Sequence, residues 1–446
     1  MNILNHWLIE KFRQYDDRTA IISGSKEICY REFLENINRW KILLDKECIK
    51  QGDCVSVIGP FNEAIAALTI ALINQRCIIV PIASSSCVKQ YITVANVDFT
   101  FYFDGSEKWR IKKRLSFQTH PLIRKLVLNR KAGLVLFSSG TTGEPKASLL
   151  DFDKLLDKFR DGSRGMRTLV FLLLDHIGGI NTLFAVLTQG GTLVIPTARD
   201  PNSICKLVEK YKIELLPTTP TFLRMLLISE SLKRYDLSSL IMITYGTEPM
   251  SESTLNAITK EMRWVQFKQT YGLTELGIMS TRSENSSSTK MKIGGKGFEY
   301  KVVDGVLWIK SQSSMLGYLN HKNPFYDGWF NTGDIVEIDG EYLNILGRKS
   351  ELINVGGEKV HPVEIENLLQ ECGNIYEATV YGKSNPITGQ IVAANISLVQ
   401  EEPEKEVVRR IHRKCSKILE SYKVPRYIKI VSTPHHGERF KKRRKV

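Results

Sequence analysis

Residues 134–146 read Leu134-Val135-Leu136-Phe137-Ser138-Ser139-Gly140-Thr141-Thr142-Gly143-Glu144-Pro145-Lys146. An apolar run with a β-branched member that empties into hydroxyls and glycines predicts a buried strand followed by a phosphate-binding loop. Glycine lets the backbone curl until its N–H groups converge on an anion, the hydroxyls add donors, and Lys146 supplies a point charge. The loop differs from the Gly-x-x-x-x-Gly-Lys-[Ser/Thr] type, because Glu144 and Pro145 stand between the last glycine and the lysine. A nucleoside triphosphate is the ligand that suits it best.

Upstream, strands alternate with helices. Thr19–Ser23 and 27–30 read as strands, and 31–46 as an amphipathic helix with Phe33, Ile37, Trp40, Leu43 and Leu44 on one side. Residues 53–60 form a strand stopped by Gly59-Pro60, 62–74 an apolar, alanine-rich helix, and 77–82 the next strand. This order predicts right-handed crossovers and a mostly parallel sheet covered on both faces.

Downstream, 168–174 reads as a continuous apolar strand that delivers Asp175-His176 and then Gly178-Gly179. Open α/β sheets place ligands at such strand ends, and glycines let backbone approach substrate closely. His176 and Gly179 are therefore pocket candidates, with a structural histidine as the alternative for His176. The run 240–248 is another strand emptying into Tyr245-Gly246-Thr247, and Gln269-Thr270-Tyr271-Gly272-Leu273-Thr274-Glu275 follows about one strand–helix unit later. An aromatic ring can stack on adenine, a threonine hydroxyl can donate to phosphate, and a carboxylate can hold magnesium, which prefers hard oxygen ligands. Residues 285–292 read as an exposed loop, and 300–303 and 306–309 as strands of a β-rich subdomain. An aspartate just past a Thr-Gly turn, Asp334, can accept hydrogen bonds from both ribose hydroxyls.

With 446 residues, 42% hydrophobic and 25% charged, the chain has the composition of a globular protein of two or three domains. No run approaches the roughly eighteen apolar residues of a membrane span, and Glu10, Asp16 and Asp17 stand where a signal peptide would be apolar. A cytoplasmic location is expected. The eight cysteines are scattered without a Cys-x-x-Cys pair, so reduced and mostly buried thiols are expected rather than zinc. The net charge of +14 is heaviest at the end, where six of the eight residues 439–446 are basic. That run reads as a solvated tail that could dock an acidic partner, and nucleic acid is not an expected ligand.

The nine residues Ser138 to Lys146 resemble the SSGTTGxPK signature of adenylate-forming enzymes, the superfamily of acyl- and aryl-CoA synthetases, firefly luciferase and peptide-synthetase adenylation domains. Residues 271–275 resemble its YGxTE motif, 327–334 its GWxxTGD motif, and 347–353 its hinge, GRx(D/K)xxIK, with Ser350 where an aspartate or lysine is usual. Residues 355–366 resemble the acyl-CoA synthetase form of the loop that follows. The resemblance implies an α/β fold: a large N-terminal region, 1–346, of α/β sheets plus a small β-rich subdomain, then a small mobile α+β C-terminal domain, 347–446. It implies that a carboxylic acid and ATP give an acyl-adenylate and pyrophosphate, with Mg2+, after which the small domain swings and a thiol attacks. The acceptor is coenzyme A, with the phosphopantetheine of an acyl carrier protein as an alternative.

By the same resemblance, Ser138, Ser139, Gly140, Thr141, Thr142, Gly143, Lys146 and Thr274 meet phosphates. Gly246, Thr247, Tyr271 and Gly272 line the adenine site, Glu275 holds the metal, and Asp334 with Arg348 reaches ribose or phosphate. His176, Gly179, Tyr245, Gly246 and Ile278 line the acid pocket. The family's C-terminal Gly-Lys pair is absent, since Gly437 is followed by Glu438. Lys441 keeps the family's three-residue spacing to an arginine, Arg444, which makes Lys441, with Lys442 beside it, the candidate for the lysine that neutralises the attacked α-phosphate. A degenerate nucleotide-binding protein without catalysis is the alternative of a different class.

Overall fold

The computed structural model describes residues 5–83, 87–105, 108–114, 120–139, 144–162, 164–432, 436–437 and 440. The chain divides into two compact units: residues 1–217, 272–279 and 310–328 form the first, and residues 218–271, 280–309 and 329–446 the second.

In the first unit, four parallel strands lie in the order Gly133–Ser139, Ile78–Ile82, Cys54–Ile58, Phe99–Phe103. Their edges are antiparallel. Trp109–Lys113 closes one side, while Pro145–Asp151 and then Gly317–Tyr318 close the other. A second sheet sets Leu215–Thr218, Arg167–Leu169, Thr192–Ile195 and Thr19–Ser23 parallel, with Lys26–Cys29 antiparallel at its edge. The expectation of parallel sheets thus holds for the centres; hairpins supply the rim strands Trp109–Lys113, Pro145–Asp151 and Lys26–Cys29, because short connections permit only antiparallel pairing, while Gly317–Tyr318 joins its edge from far along the chain.

Local sequence explains the helices. The helix Tyr30–Lys46 begins in a capping box, in which Cys29 Sγ accepts from Glu32 N–H and Glu32 Oε2 accepts from Cys29 N–H. Phe33, Ile37, Trp40 and Leu44 recur at helical spacing and are buried. Glu63–Asn74 is capped by Asn62, whose Oδ1 accepts from Ile65 N–H at 2.9 Å, and it is buried almost all round.

Two expectations are corrected. The apolar run 168–174 is a strand only over Arg167–Leu169. After Val170 N–H bonds to Val194 O the chain leaves the sheet, and His176 N–H closes a turn onto Leu173 O. Burial of the turn, rather than of a strand, makes these residues apolar. Residues 285–292 are not one exposed loop, since Met291–Gly294 is a strand and Met291 is fully buried.

The second unit pairs Met242–Tyr245 in parallel with Gln266–Gln269. It also contains an antiparallel sheet that includes Ser280–Ser283, Met291–Gly294, Tyr342–Arg348, Trp329–Asp339, Val306–Ser311 and Phe298–Val303 in that order. Its last part, from Ile353 on, is an α+β body. The strands Ile375–Asn385, Gly389–Leu398 and Tyr427–Ile430 carry the helices Pro362–Gln370 and Glu404–Ile418 over a separate apolar core of Val360, Ile365, Leu369, Val380, Ala394 and Ile411. Arg224, on the helix Pro220–Ile228, donates to the carbonyls of Tyr376 (2.8 Å), Ile375 (2.7 Å) and Gln370 (3.4 Å), fastening this body to that helix. All eight cysteines are free, five of them buried, and burial pushes the Cys205 thiol up to about 12. No described helix is long and apolar enough to cross a membrane.

Candidate active site

The strand Gly133–Ser139 runs into residues 140–143 and returns antiparallel as Pro145–Asp151, so that Lys146 faces Ser138 across the hairpin. Gly140, Thr141, Thr142 and Gly143 lie outside the described residues, as do Lys441 and Lys442. What is described is the base of the loop, and its returning strand is tied down by Asn320. Asn320 Oδ1 accepts from Ala147 N–H at 3.0 Å, and its Nδ2 donates to Pro145 O at 2.9 Å.

Beside that base stands a cluster of three side chains. Tyr318 O–H donates to Glu275 Oε1 at 2.8 Å, and Lys146 Nζ lies 5.4 Å from the centroid of the Tyr318 ring. Glu275 is buried, and its backbone carbonyl accepts from Met315 N–H at 2.8 Å. Burial and the neighbouring carboxylate push the Tyr318 phenol up, so it stays protonated and donates. A cation, a donor and a carboxylate thus converge where the loop begins. Tyr318 had no signal in the sequence, since the dipeptide Gly317-Tyr318 acquires meaning only through its pairing with Leu149 and Ser148.

Thr274 and Glu275 sit on a tight hairpin, Gly272-Leu273 against Gly277-Ile278. Gly272 is demanded by that turn: a Cβ there would lie 2.3 Å from Ile278 Cδ1 and 2.8 Å from Gly277 O. His176 caps the helix Ile177–Leu187, with Nδ1 accepting from Gly178 N–H at 3.1 Å. The neutral imidazole therefore carries its proton on Nε2. Gly179 serves packing, because a Cβ would lie 2.0 Å from Leu173 O.

The second unit holds the other candidates. Asp334 is buried and central: Tyr271 O–H donates to its Oδ2 at 2.5 Å, and Arg348 Nε lies 3.2 Å from its Oδ1. The ion pair follows from strand register, since Asp334 and Arg348 are direct partners across the hairpin of Trp329–Asp339 and Tyr342–Arg348. Burial, and then the Asp334 carboxylate, push the Tyr271 phenol well up. Thr332 Oγ1 accepts from Asp334 N–H at 3.0 Å, which holds the turn before the aspartate.

At the end of Met242–Tyr245, Tyr245 is 1% exposed and its hydroxyl has no partner among the described residues. Leaving a buried hydroxyl unsatisfied costs about 1–3 kcal/mol, and a ligand atom would recover it. Thr247 takes φ +74, a left-handed conformation rare for a β-branched residue. Glu248 Oε1, which accepts from Thr221 N–H (2.8 Å) and Thr221 O–H (2.5 Å), holds that turn in place. Gly246 is pressed against Thr270, whose Oγ1 would be 2.5 Å from an added Cβ. The motif 271–275 straddles the division, Tyr271 belonging to the second unit and Gly272 onward to the first.

The family described as AMP-binding enzyme matches residues 86–319, and its C-terminal domain matches residues 364–438. A 2-succinylbenzoate–CoA ligase of Listeria monocytogenes is 26% identical over 455 aligned residues, 96% of this chain and 95% of that protein. An indoleacetate–CoA ligase of Aromatoleum aromaticum is 32% identical over 289, which is 58% of this chain and 56% of that one. Among solved structures, an anthranilate CoA ligase bound to anthranoyl-AMP superposes with a TM-score of 0.82 at 18% identity, covering 99% of this chain and 96% of that one. The o-succinylbenzoate CoA synthetase of Bacillus subtilis with its acyl-adenylate intermediate gives 0.80 at 19%, covering 98% and 96%.

Proposed function

Because the chain belongs to the family of AMP-binding enzymes, we propose that it activates a small carboxylic acid with ATP and passes the acyl group to coenzyme A. A carboxylate oxygen attacks the α-phosphorus, the bond to the bridging oxygen breaks, and pyrophosphate leaves with that electron pair. The CoA thiolate then adds to the acyl carbon of the mixed anhydride, and AMP leaves with the C–O electrons. The observation that carries the reading is the convergence of Lys146, Tyr318 and Glu275 at the base of the Ser138–Lys146 loop.

In this reading Ser138, Ser139, the N–H groups and hydroxyls of 140–143, Lys146 and Thr274 bind the phosphates. Tyr271, Gly246 and Thr247 meet adenine, Asp334 accepts from the ribose hydroxyls, and Arg348 lies beside it. A carboxylate has about four lone-pair sites, so the two partners that Asp334 already has leave room for ribose. The buried Glu275 carboxylate fits magnesium, a hard ion that keeps waters and substrate phosphates as its other ligands and so needs few protein groups. When bound, that ion would neutralise charge on the departing pyrophosphate. His176, Gly179, Tyr245 and Ile278 line the acid site, and the unpartnered Tyr245 hydroxyl supports its place there. The separate core of residues 353–430 supports a small domain from about residue 347 that turns between the two half-reactions, releasing the Arg224 contacts as it does so. A cytoplasmic location is consistent with ATP and CoA as substrates.

The test is pyrophosphate release from ATP and Mg2+ against a panel of acids, with and without CoA. The acids named for the relatives, succinylbenzoate and indoleacetate, are aromatic, so aryl acids head the panel. Acid-dependent release that CoA accelerates is expected. Release that a phosphopantetheinylated carrier protein accelerates, while CoA does not, would move the acceptor to a carrier. Nucleotide binding without release for any acid would favour a binding protein.

A further inference from the structure

The helix Pro220–Ile228 and the α+β body that begins at Ile353 lie on opposite sides of the hinge stretch 347–353 in sequence, yet one side chain ties them together. Arg224 donates through Nε to Tyr376 O at 2.8 Å, and through Nη2 to Ile375 O at 2.7 Å and Gln370 O at 3.4 Å. Gln370 ends the helix Pro362–Gln370, and the last carbonyls of a helix have no partner inside it. A cation placed there meets the negative end of the helix dipole, and its bonds to the carbonyls are charge-assisted. Ser251 Oγ adds a weaker contact, to Gln370 Oε1 at 3.3 Å. A cleft at this joint is lined by Thr221, Glu248, Ser251, Glu366 and Glu377 as well as by apolar side chains, while the body's own apolar core draws on residues from 353 onward. Such a joint opens without dismantling that core.

Any turn of the small body about 347–353 must break these bonds, because the guanidinium precedes the hinge and the carbonyls follow it. The tail supplies the direction. Phe440 meets Phe222 of the same helix edge-on, with centroids 6.0 Å apart, and it stacks on His436, whose Nδ1 lies 2.8 Å from Glu377 Oε1. That tail carries the lysine assigned to the α-phosphate, so the arrangement with Arg224 engaged is the adenylating one, and the following inference rests on that assignment. We propose that Arg224 is the positioning residue that latches the small body for adenylation, and that its release sets the rate of thiol attack.

The test follows the two half-reactions separately in the full chain, native and with Arg224→Met, Arg224→Lys or Gln370→Ala. Adenylation is read as ATP–pyrophosphate exchange with an acid that supports pyrophosphate release, and thiol attack as the rate at which CoA consumes the chemically prepared adenylate of that acid. With the latched arrangement dominant in the native protein, loosening it raises the released fraction in proportion while hardly depleting the latched one. Arg224→Met should therefore speed thiol attack roughly tenfold and slow pyrophosphate exchange by no more than about threefold. Arg224→Lys, which keeps the charge and loses the fork, should fall between. Gln370→Ala, which loses only the Ser251 contact, should move both rates the same way by less. Equal losses in both half-reactions, or no change in either, would overturn the proposal and leave Arg224 as a structural contact. Should Arg224→Met fail to fold, the other two variants carry the test. Hydrogen exchange of residues 347–353 in the unliganded protein reads the latch without chemistry: faster exchange in Arg224→Met, with no acid activated by native protein, counts against acyl activation alone, and unchanged exchange counts against the latch.

Discussion

Replacing Glu275 by glutamine is expected to lower acid-dependent ATP–pyrophosphate exchange by about a hundredfold or more and to raise the magnesium concentration needed for half-maximal rate. The fold should survive, because the amide has the shape of the carboxylate and its oxygen can still accept from Tyr318 O–H, now at 2.8 Å from Oε1. What is lost is the negative charge that a hard cation requires. Tyr318→Phe is the milder change, since it keeps the charge and the ring beneath Lys146 but removes the donor that orients the carboxylate. A loss of about tenfold is expected there. A Glu275→Gln protein with native exchange and native magnesium dependence would remove Glu275 from the site.

Lys441→Ala should slow the adenylation half-reaction by about 10²–10³-fold, or about 3–4 kcal/mol of transition-state stabilisation, while CoA attack on a supplied acyl-adenylate falls much less. An ammonium beside the α-phosphate acts on charge that develops as pyrophosphate leaves, and the second step does not share that charge. The chain just before Lys441 has fixed neighbours. His436 Nδ1 lies 2.8 Å from Glu377 Oε1, and the Phe440 ring meets Phe222 edge-on with centroids 6.0 Å apart. Lys442→Ala should cost less than tenfold. If Lys442 proves essential and Lys441 dispensable, the role passes to Lys442. If neither matters, nothing at this end replaces the family lysine.

The parts of the fold legible in sequence were those with a local cause. The strand at 134–137, the capped helices after Cys29 and Asn62, and the glycine turn at 272 each follow from residues a few positions apart. The run 168–174 misled because burial selects apolar residues in a packed turn as strongly as in a strand, and composition cannot separate them. Met291 was hidden by the Ser- and Lys-rich loop before it, although a strand there is fixed by pairing with Ser280–Ser283. The site's working contacts are longer in range. Tyr318 reaches Glu275 across 43 residues, and Asp334 meets Arg348 only because a bulge between Ile335 and Val336 sets the register of their hairpin.

The central claim is that the acid's own oxygen becomes bonded to the α-phosphorus of ATP. An acid that supports pyrophosphate release would be supplied with both carboxylate oxygens as oxygen-18, and the AMP formed with CoA would be weighed by mass spectrometry. Acyl-adenylate chemistry predicts AMP carrying one heavy oxygen, with the other retained in the thioester. Unlabelled AMP, or ADP and phosphate in place of AMP and pyrophosphate, would contradict it.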